Sequence, residues 1–314
     1  MSISIVITTH RRPDLLKRNL ESLAGMSDRQ CLGEVIVIEN GSAEAQAVCE
    51  AFSRQLPLRY LHRAEAGKGR ALQWYLQQVN TGLLLFLDDD VRVSPGFVRQ
   101  YDCASRAHGP GSYFGGELRA DFEAQPESWL RPYLPPSATG WDAAYLERAR
   151  RGEAFFSGAN YAVYVSDLKA VGGFRCDIGP GAVRDGTEGN PTGHEWELQY
   201  RLRDAGMRAV FVGDAPVWHY VPRSNCTPDW ALHRIYRNAY FATLRAQADA
   251  HRDDDKDDSV SVLKRRYLKQ RLYALAATLV RDREKRFHMR RRLFEIRGRL
   301  EGFRHVGKSG SSGR

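Results

Sequence analysis

Three consecutive carboxylates follow an uninterrupted apolar run in the first third of the chain. Residues 83–87 are all apolar, and Asp88, Asp89 and Asp90 come directly after them. Such a run is typical of a strand buried on both faces, and ligands of open α/β sheets gather at the carboxyl ends of such strands. Crowded carboxylates repel one another, so a divalent cation would stabilise them. These oxygen ligands suit Mg2+ or Mn2+ held together with a diphosphate, although a solvated acidic turn or a helix cap would have the same sequence.

Predicted strands and helices alternate on the way to this cluster. Apolar runs predict strands over residues 3–9, 34–38, 58–62 and 83–87, and helical patterns lie between them, from residue 13, over 43–56 and over 71–79. This alternation predicts a parallel sheet with right-handed crossovers. The loop over residues 67–70 reads Gly-Lys-Gly-Arg and offers two cations, but it lacks the spacing of a P-loop. The strand ends therefore outline a pocket of the size of a nucleotide.

Length, cysteines and the start of the chain bound the class of protein. The 314 residues suffice for one large domain with an appendage. Five cysteines without a CxxC pair or zinc spacing predict a reducing compartment and no disulfide framework. The first strand begins at the initiator methionine, which leaves no room for a signal peptide, and no apolar run reaches the length of a membrane span. We therefore expect a cytoplasmic protein.

Several short segments, in order, resemble the nucleotide-sugar domain of family 2 glycosyltransferases, the inverting GT-A fold. The segments are ITTHRR, VIENGS, AGKGRALQ and LLLFLDDDV in the first half, and FSGAN, VGGF, GHEWEL and VWH in the second. The resemblance covers about residues 2 to 245. It implies an α/β fold with a Rossmann-like, mostly parallel sheet flanked by helices, and the residues after it predict a C-terminal helical extension. We predict a catalytic domain over residues 1–248, an acidic linker over 249–261, a basic helical extension over 262–306 and a disordered tail over 307–314.

The resemblance also implies roles for individual residues. The positions expected to contact the nucleotide are Thr8, Thr9, Arg11, Glu39 or Asn40, Lys68, Asp88 and Asp89. The metal ligands would be Asp90 and His219, with His219 alternatively contacting the diphosphate or serving as an ordinary core histidine. The residues expected near the donor sugar or the acceptor are Gly158, Ala159, Asn160 and Trp196.

The catalytic base implied by the resemblance is Glu195. The family keeps a Glu-Asp pair where this chain has His194 and Glu195, so the carboxylate is retained but is one methylene longer. Glu197 is the alternative base, and a helix cap is the alternative role for Glu195. The chain also departs from the family at Glu65 and Gln73, where the family has Asn.

The acidic cluster and the family resemblance together predict an inverting, metal-dependent glycosyltransferase. It would transfer a sugar from a nucleotide-diphosphate donor, with UDP favoured, to a hydroxyl of a saccharide or lipid-linked acceptor, using Mg2+ or Mn2+. The resemblance favours a role in bacterial surface polysaccharide or glycoconjugate synthesis. The alternative is a non-catalytic nucleotide-sugar binding protein. We interpret residues 117–152 as an acceptor-side loop and residues 175–191 as a mobile loop before the base helix.

The positive charge of the chain is concentrated near its end. Residues 264–308 contain 16 Lys or Arg and 4 Asp or Glu, a balance of +12, whereas the whole chain has a net charge of +9. The segment predicts two basic amphipathic helices with apolar residues on one side: Leu263, Tyr267, Leu268, Leu272, Leu275 and Leu279. They would bring a cytoplasmic enzyme to the anionic inner face of a membrane, or pack on the domain with solvated charges. A nucleic-acid partner is not expected, because the interleaved aromatic residues of single-strand binders are missing.

Overall fold

The computed structural model describes residues 3–27, 29–181, 183–184, 187–188, 193–249 and 260–309. The chain divides into two compact units. The first comprises Met1–Asp121 and Thr139–Tyr220, and the second comprises Phe122–Ala138 and Val221–Arg314. This division differs from the predicted boundary at residue 248, since residues 122–138 and 221–248 group with the C-terminal helices.

The elements of the described chain follow the predicted alternation in its first part. The strands are β1 Ile3–Thr9, β2 Leu32–Asn40, β3 Leu58–Arg63, β4 Leu83–Asp88, β5 Val91–Val93, β6 Ser112–Phe122, β7 Tyr161–Tyr164, β8 Val183–Arg184, β9 Thr187–Glu188 and β10 Arg208–Val221. The helices are α1 Pro13–Ala24, α2 Gln46–Phe52, α3 Lys68–Leu76, α4 Phe97–His108, α5 Pro136–Thr139, α6 Ala143–Arg150, α7 Val165–Ala170, α8 His194–Asp204, α9 Pro228–Asp249, α10 Val260–Ala276 and α11 Arg283–Ser309.

One eight-stranded sheet forms the centre of the first unit, in the order β3-β2-β1-β4-β7-β6-β10-β5. The four strands of the first half are parallel, as predicted: β1 pairs with β2 and β4, and β2 pairs with β3. The second half is antiparallel, since β7 pairs in that sense with β4 and β6, and β10 with β5. The parallel half places the carboxyl ends of β1, β2 and β4 along one edge, which is where the polar residues lie.

Both faces of the sheet are buried, which explains why its central strands are apolar without alternation. Ile5 and Ile7 of β1 belong to one hydrophobic cluster, whereas Val6 belongs to the other. Leu85 and Phe86 divide in the same way on β4. Helices therefore cover the sheet on both sides, and only the strand ends are left for polar side chains.

The second unit is helical. Helix α11 packs along α9 at two glycines: a Cβ atom at Gly298 would lie 2.2 Å from the carbonyl oxygen of Tyr236. Gly302 approaches α9 similarly. Phe287 of α11 is buried, with its ring 5.6 Å from that of Trp129 and 5.1 Å from that of Tyr133. In the described ranges, no helix is long and apolar enough to cross a membrane.

Four predictions need correction. Helix α2 spans Gln46–Phe52 rather than residues 43–56. Residues 117–152 are not one loop, because β6 continues to Phe122 and α6 spans Ala143–Arg150. Helix α11 continues to Ser309, beyond the predicted start of a disordered tail at 307. Leu263 is buried, whereas Leu268, Leu272 and Leu275 are exposed, so these leucines do not share one face of α10.

Two further predictions fall partly outside the described residues. Most of the acidic linker over 249–261 lies there, although α9 ends at Asp249 and α10 begins at Val260. The proposed mobile loop over 175–191 includes residues 182, 185–186 and 189–191, which also lie outside.

Candidate active site

The turn that carries the three carboxylates is fixed by a buried asparagine. Nδ2 of Asn19, on α1, donates to the carbonyl oxygens of Asp88 at 3.1 Å and of Val91 at 3.0 Å. Asn19 is fully buried among the apolar residues of α1. Because a buried amide is costly without partners, these bonds define the turn between β4 and β5.

Two of the carboxylates converge with a histidine from a distant strand. Asp88, Asp90 and His219 each offer one ligand atom, and these atoms all lie within 4.8 Å of one another. His219 reaches the turn because β10 pairs with β5, opposite Val91, and the amide of Tyr220 donates to the carbonyl oxygen of Asp90 at 2.8 Å. The structure thus brings together both predicted metal ligands, with Asp88 as a third.

This group fits a divalent cation. Oδ1 of Asp90 and Nδ1 of His219 are buried and have no hydrogen-bond partner among the described residues. Nε2 of His219 lies 3.4 Å from Oδ1 of Asp90. Two carboxylates and an imidazole are ligands that first-row divalent metals accept, and buried polar atoms without partners are unfavourable unless something binds them. The donor set therefore can hold a metal ion.

The middle carboxylate, Asp89, has another role. Thr9 donates through Oγ1 to Oδ2 of Asp89 at 2.7 Å, and Nη1 of Arg12 lies 3.2 Å from Oδ1. Burial, together with the nearby charge of Asp90, raises the pKa of Asp89 to about 7 although Arg12 opposes this. Asp89 and Thr9 thus join the ends of β4 and β1, and their polar atoms are used within the protein.

Lys68, the first residue of α3, connects the metal group with the predicted base. Nζ of Lys68 contacts Oδ1 of Asp88. Burial acts to lower the pKa of Lys68, but the charge and hydrogen bond of Asp88 outweigh it, and Glu195 adds to the same effect, so the pKa is raised. The pKa of Asp88 is lowered in turn: burial opposes this, but Lys68 prevails. The lysine therefore stays charged in contact with Asp88 and within electrostatic range of Glu195, which comes from the other half of the sequence.

Glu195 lies in the first turn of α8, where a positive helix end favours a carboxylate. Oε2 of Glu195 is 3.0 Å from Nδ1 of the buried His194. A Cβ atom added at Gly158 would lie only 3.3 Å from Cδ of Glu195, so a small residue is needed there. Burial raises the pKa of Glu195, but the interaction with His194 and the charge of Lys68 outweigh it and lower the pKa overall. Glu195 is thus ionised at neutral pH and largely shielded from water.

The carboxylate of Glu197, the alternative base, is paired with Arg201. Nε and Nη2 of Arg201 donate to its two carboxylate oxygens, both at 2.8 Å. Nη2 of the same arginine also donates to the carbonyl oxygen of Gly173 at 2.8 Å. The bidentate pair lies within α8, and the bond of Arg201 to Gly173 joins the helix to the segment before it. Of the two carboxylates that the sequence left open, the geometry favours Glu195 as the base.

Glu39 and Asn40, predicted to contact the base or the ribose, use their side chains within the protein. The carboxylate of the fully buried Glu39 accepts hydrogen bonds from Ser42 Oγ, Glu44 N and Tyr60 OH, each at 2.7 Å, and from Ala45 N at 2.9 Å. Asn40 donates through Nδ2 to the carbonyl oxygen of Thr9 at 3.0 Å and accepts from the amide of Gly67 at 2.9 Å. Both residues therefore shape the strand-end loops of the pocket.

The remaining predicted residues divide between the site and the core. Thr8, the last residue but one of β1, pairs with Asp88, and Arg11 is exposed, with its amide donating to Ser42 Oγ at 3.1 Å. Within the segment Gly158-Ala159-Asn160, Gly158 adjoins Glu195, whereas Ala159 is buried in the hydrophobic core. Asn160 is fully buried, accepting from the hydroxyl of Tyr101 at 2.6 Å, so the expectation that its side chain borders the sugar needs correction. Trp196 is 50% exposed beside Phe155, with ring centroids 6.3 Å apart.

Three positioning residues were not predicted from the sequence. Arg12 pairs with Asp89 and Asp90, although its sequence position indicated only a turn. Gln199 exchanges hydrogen bonds with the backbone of Phe156, at 2.7 and 2.8 Å, which holds α8 beside Gly158. Asn19 was the one with a readable signal, since a polar side chain among Leu16, Leu20 and Leu23 must find buried partners.

Comparisons with known proteins agree with this geometry. Residues 4–102 match the family model described as glycosyl transferase family 2. The chain is similar to the mannosyltransferase PcManGT from Pyrobaculum calidifontis in complex with GDP-Man and Mn2+, with 15% identity and a TM-score of 0.59, over 96% of this chain and 86% of that chain. It is also similar to GalNAc-T7 with UDP, GalNAc and Mn2+, with 15% identity and a TM-score of 0.52, over 80% of this chain and 51% of that chain. A third similar structure is TarS from S. aureus, with 13% identity and a TM-score of 0.50, over 96% of this chain and 55% of that chain. No curated protein matches the chain.

These findings confirm the predicted fold class and the resemblance on which it was based. The chain has a curled, mixed sheet flanked by helices, similar to the structures of GT-A glycosyltransferases. The family match runs from the second residue of β1 through β5 to the first half of α4, which includes the three carboxylates and Lys68. The chain spans about half the length of GalNAc-T7 and of TarS.

Proposed function

We propose that this chain, whose residues 4–102 match glycosyl transferase family 2, is a metal-dependent inverting glycosyltransferase. It would move a sugar from a nucleotide-diphosphate donor to a hydroxyl acceptor. The observation that carries the proposal is the metal group of Asp88, Asp90 and His219 with Lys68 in contact with Asp88, while Glu195 lies within electrostatic range of the same lysine. Cation, leaving group and base would thus meet in one pocket.

Asp88, Asp90 and His219 are the residues that would hold the cation. When bound, it would neutralise the negative charge that builds on the departing diphosphate. Lys68 adds a fixed positive charge at the same place, and its raised pKa keeps it protonated. Such groups accelerate transfer to the extent that they bind the developing charge more strongly than the ground state.

Glu195 would accept the proton of the acceptor hydroxyl as its oxygen attacks the anomeric carbon. The C–O bond to the diphosphate breaks as the new C–O bond forms, the electron pair leaves with the diphosphate, and the proton ends on the Glu195 carboxylate. One displacement from the opposite face inverts the anomeric configuration. His194 beside Glu195 and the small Gly158 hold the carboxylate in place.

The donor and the acceptor are the finer parts of the proposal. We infer a UDP-sugar as donor, while the similar structures were solved with GDP-Man in one case and with UDP and GalNAc in another. The half-exposed Trp196, next to the base, offers an aromatic face on which the acceptor sugar would pack. A saccharide or lipid-linked acceptor in bacterial surface polysaccharide or glycoconjugate synthesis rests on the family resemblance alone. A lipid-linked acceptor would place the enzyme at a membrane.

A screen of nucleotide sugars tests the proposal. Thermal unfolding is followed with UDP-, GDP- and other nucleotide sugars, each with Mn2+, with Mg2+ and with a chelator. The cognate donor should raise the melting temperature only with metal, because a ligand that binds the native state stabilises it according to its occupancy. The best donor is then assayed for metal-dependent release of the nucleoside diphosphate, and the anomeric configuration of the product is determined by NMR. A retained configuration would contradict the proposed single displacement.

The alternative, a non-catalytic nucleotide-sugar binding protein, gives a different result in the same experiment. It would show the metal-dependent thermal shift but no release of diphosphate with any acceptor. The ionised Glu195, held at Gly158 and within electrostatic range of Lys68, argues for turnover, because a binding protein has no need of a base.

A further inference from the structure

Helix α10 exposes a row of leucines to solvent. Leu268, Leu272 and Leu275 are 62%, 69% and 64% exposed, and Leu279, in the 3-10 turn that follows, is 87% exposed. At about 100° per residue, the three helical leucines lie within about 60° of one another. We call these four residues the leucine stripe. Scattered exposed leucines are ordinary, whereas a continuous row on one helix face indicates an interaction surface.

The leucine stripe is not needed for the packing of the second unit. Helix α10 packs on α11, and its buried residue is Leu263. Tyr267 and Ala274, at helical spacing from Leu263, are partly buried with it. By helical geometry this face lies on the side of α10 away from the leucine stripe. The stripe is therefore a second apolar face, and it has no cover among the described residues.

Positive charges border the leucine stripe. Residues 260–276 contain five Lys or Arg and no Asp or Glu. Helical spacing places Lys264 and Arg271 along one border of the stripe, and Arg265 and Lys269 along the other. Long cationic side chains beside an apolar row can extend to a polar interface while their stems stay on the apolar surface. This arrangement of charge and leucines is that of a helix lying in a membrane interface.

We propose that the leucine stripe of α10 inserts into the surface of an anionic membrane, with the bordering cations at the lipid phosphates. The positive charges of α10 favour a lipid surface over a second copy of the chain as the partner of the leucine stripe. A second copy of the chain, docked stripe to stripe, would bring two helices of five cations each together without a carboxylate on either. An anionic lipid surface instead attracts every one of these cations. The proposal goes beyond the proposed function, because it concerns where the enzyme works and does not depend on the chemistry of the site.

Vesicle co-sedimentation with the full-length protein tests this surface. The wild type should pellet with vesicles of phosphatidylglycerol and phosphatidylcholine, stay in solution with phosphatidylcholine alone, and be released by high salt, since screening weakens the attraction. Replacing Leu268, Leu272 and Leu275 together by Ser should reduce the ratio of bound to free protein at least tenfold. The matched control replaces Val262 and Tyr273 by Ser. Both are exposed apolar residues of α10 that lie off the stripe, and binding should change less than twofold.

Further readouts separate the other outcomes. Circular dichroism and donor-induced thermal shifts show that each variant is folded and that the site in the first unit is intact, so a failure of this proposal is distinct from a failure of the proposed function. Replacing Lys264, Lys269 and Arg271 by Gln should weaken binding and flatten its salt dependence. If the stripe and control variants pellet equally with anionic vesicles, the proposal is wrong. It is also wrong if light scattering shows a dimer that the stripe variant dissociates while vesicle binding is absent.

Discussion

Nη1 of Arg12 lies 2.9 Å from Oδ2 of Asp90, one of the three members of the candidate metal group. The same nitrogen lies 3.2 Å from Asp89, so one guanidinium offsets two neighbouring carboxylates. Replacing Arg12 by Met leaves these carboxylates to repel one another. We expect the metal-free variant to melt at a lower temperature, and Mn2+ to raise its melting temperature more than that of the wild type, because the cation then relieves more repulsion. Thermal unfolding with Mn2+ and with a chelator measures both effects.

The matched control for Arg12 is Arg18, one helical turn and a half further along α1. Nη2 of Arg18 lies 3.0 Å from Oδ2 of Asp121, outside the metal group, and the side chain is about as exposed as that of Arg12. Replacing Arg18 by Met should lower the free energy of unfolding by no more than about 1 kcal/mol, as is usual for exposed pairs. The increase in melting temperature on addition of Mn2+ should equal that of the wild type. An equal increment in the Arg12 variant and the wild type would show that Arg12 does not offset the metal group.

The strands that carry the site could be predicted because their sequences permit few alternatives. Strand β1 begins and ends where the apolar run predicted, and β4 extends the predicted strand only to Asp88. A run buried on both faces, closed by charged residues, has almost no freedom in where it ends. The antiparallel half of the sheet was harder to predict from the sequence, because β10 reaches β5 through a pairing of Val217 with Val93 that no local pattern encodes.

Replacing Asp90 by Ala should remove the Mn2+-dependent part of nucleotide binding and abolish transfer while leaving the fold intact. Oδ1 of Asp90 is buried without a hydrogen-bond partner among the described residues, and Oδ2 pairs with the exposed Arg12, so the loss of Asp90 removes a ligand and one exposed ion pair. Titration of nucleotide with and without Mn2+, followed by fluorescence or calorimetry, measures the effect. Asp89→Asn is the comparison: Asp89 bonds Thr9, and its variant should retain the Mn2+ dependence. Full metal-dependent turnover in the Asp90 variant would remove Asp90 from the metal group.

Side-chain roles at the strand ends were harder to predict than the strand ends themselves. The segment VIENGS placed Glu39 and Asn40 at the right edge of the sheet, but sequence could not tell which way their polar atoms point. Glu39 accepts four hydrogen bonds from its own loop and from Tyr60, and those donors are set by tertiary packing. The choice between Glu195 and Glu197 stayed open because Gly158 and Lys68, which are distant in the sequence, approach Glu195 only through tertiary packing.

Replacing Glu195 by Gln should lower the transfer rate by about 10²-fold or more, the range for loss of a general base, while donor binding is retained. The amide keeps the size of the side chain beside Gly158 but cannot accept the proton of the acceptor. Steady-state rates of diphosphate release with saturating donor measure this, with donor affinity determined separately.

Glu197→Gln provides the control on the same helix. It loses the charge of a bidentate pair with Arg201, so we expect a lower melting temperature, with a much smaller change in rate per folded enzyme than in the Glu195 variant. If the Glu197 variant is inactive and the Glu195 variant is active, the base has been assigned to the wrong carboxylate.

The ionised carboxylate of Glu39 should make the free energy of unfolding depend on pH. Burial acts to raise the pKa of Glu39, but hydrogen bonds from Tyr60, Glu44, Ser42 and Ala45 outweigh it and hold the pKa below the ordinary value of 4.5. Because the folded-state pKa is lowered, the charged carboxylate stabilises the fold above the unfolded-state pKa, and this contribution is lost as the pH falls through the folded-state pKa. Replacing Glu39 by Gln turns one of the two acceptor oxygens into an N–H donor that faces N–H or O–H groups. We expect a loss of about 2 kcal/mol in the free energy of unfolding at pH 7, in line with hydrogen bonds to charged groups.

Urea unfolding of both proteins between pH 7 and about pH 3 measures the difference in the free energy of unfolding between the wild type and the Glu39 variant. This gap should keep its full size down to about pH 5 and shrink below about 4.5. Glu34→Gln on the same strand, where the carboxylate lies 3.8 Å from Arg59 at the surface, should change stability by less than about 1 kcal/mol. A gap between wild type and the Glu39 variant that widens as the pH falls below 4.5 would contradict the structural role assigned to the ionised Glu39.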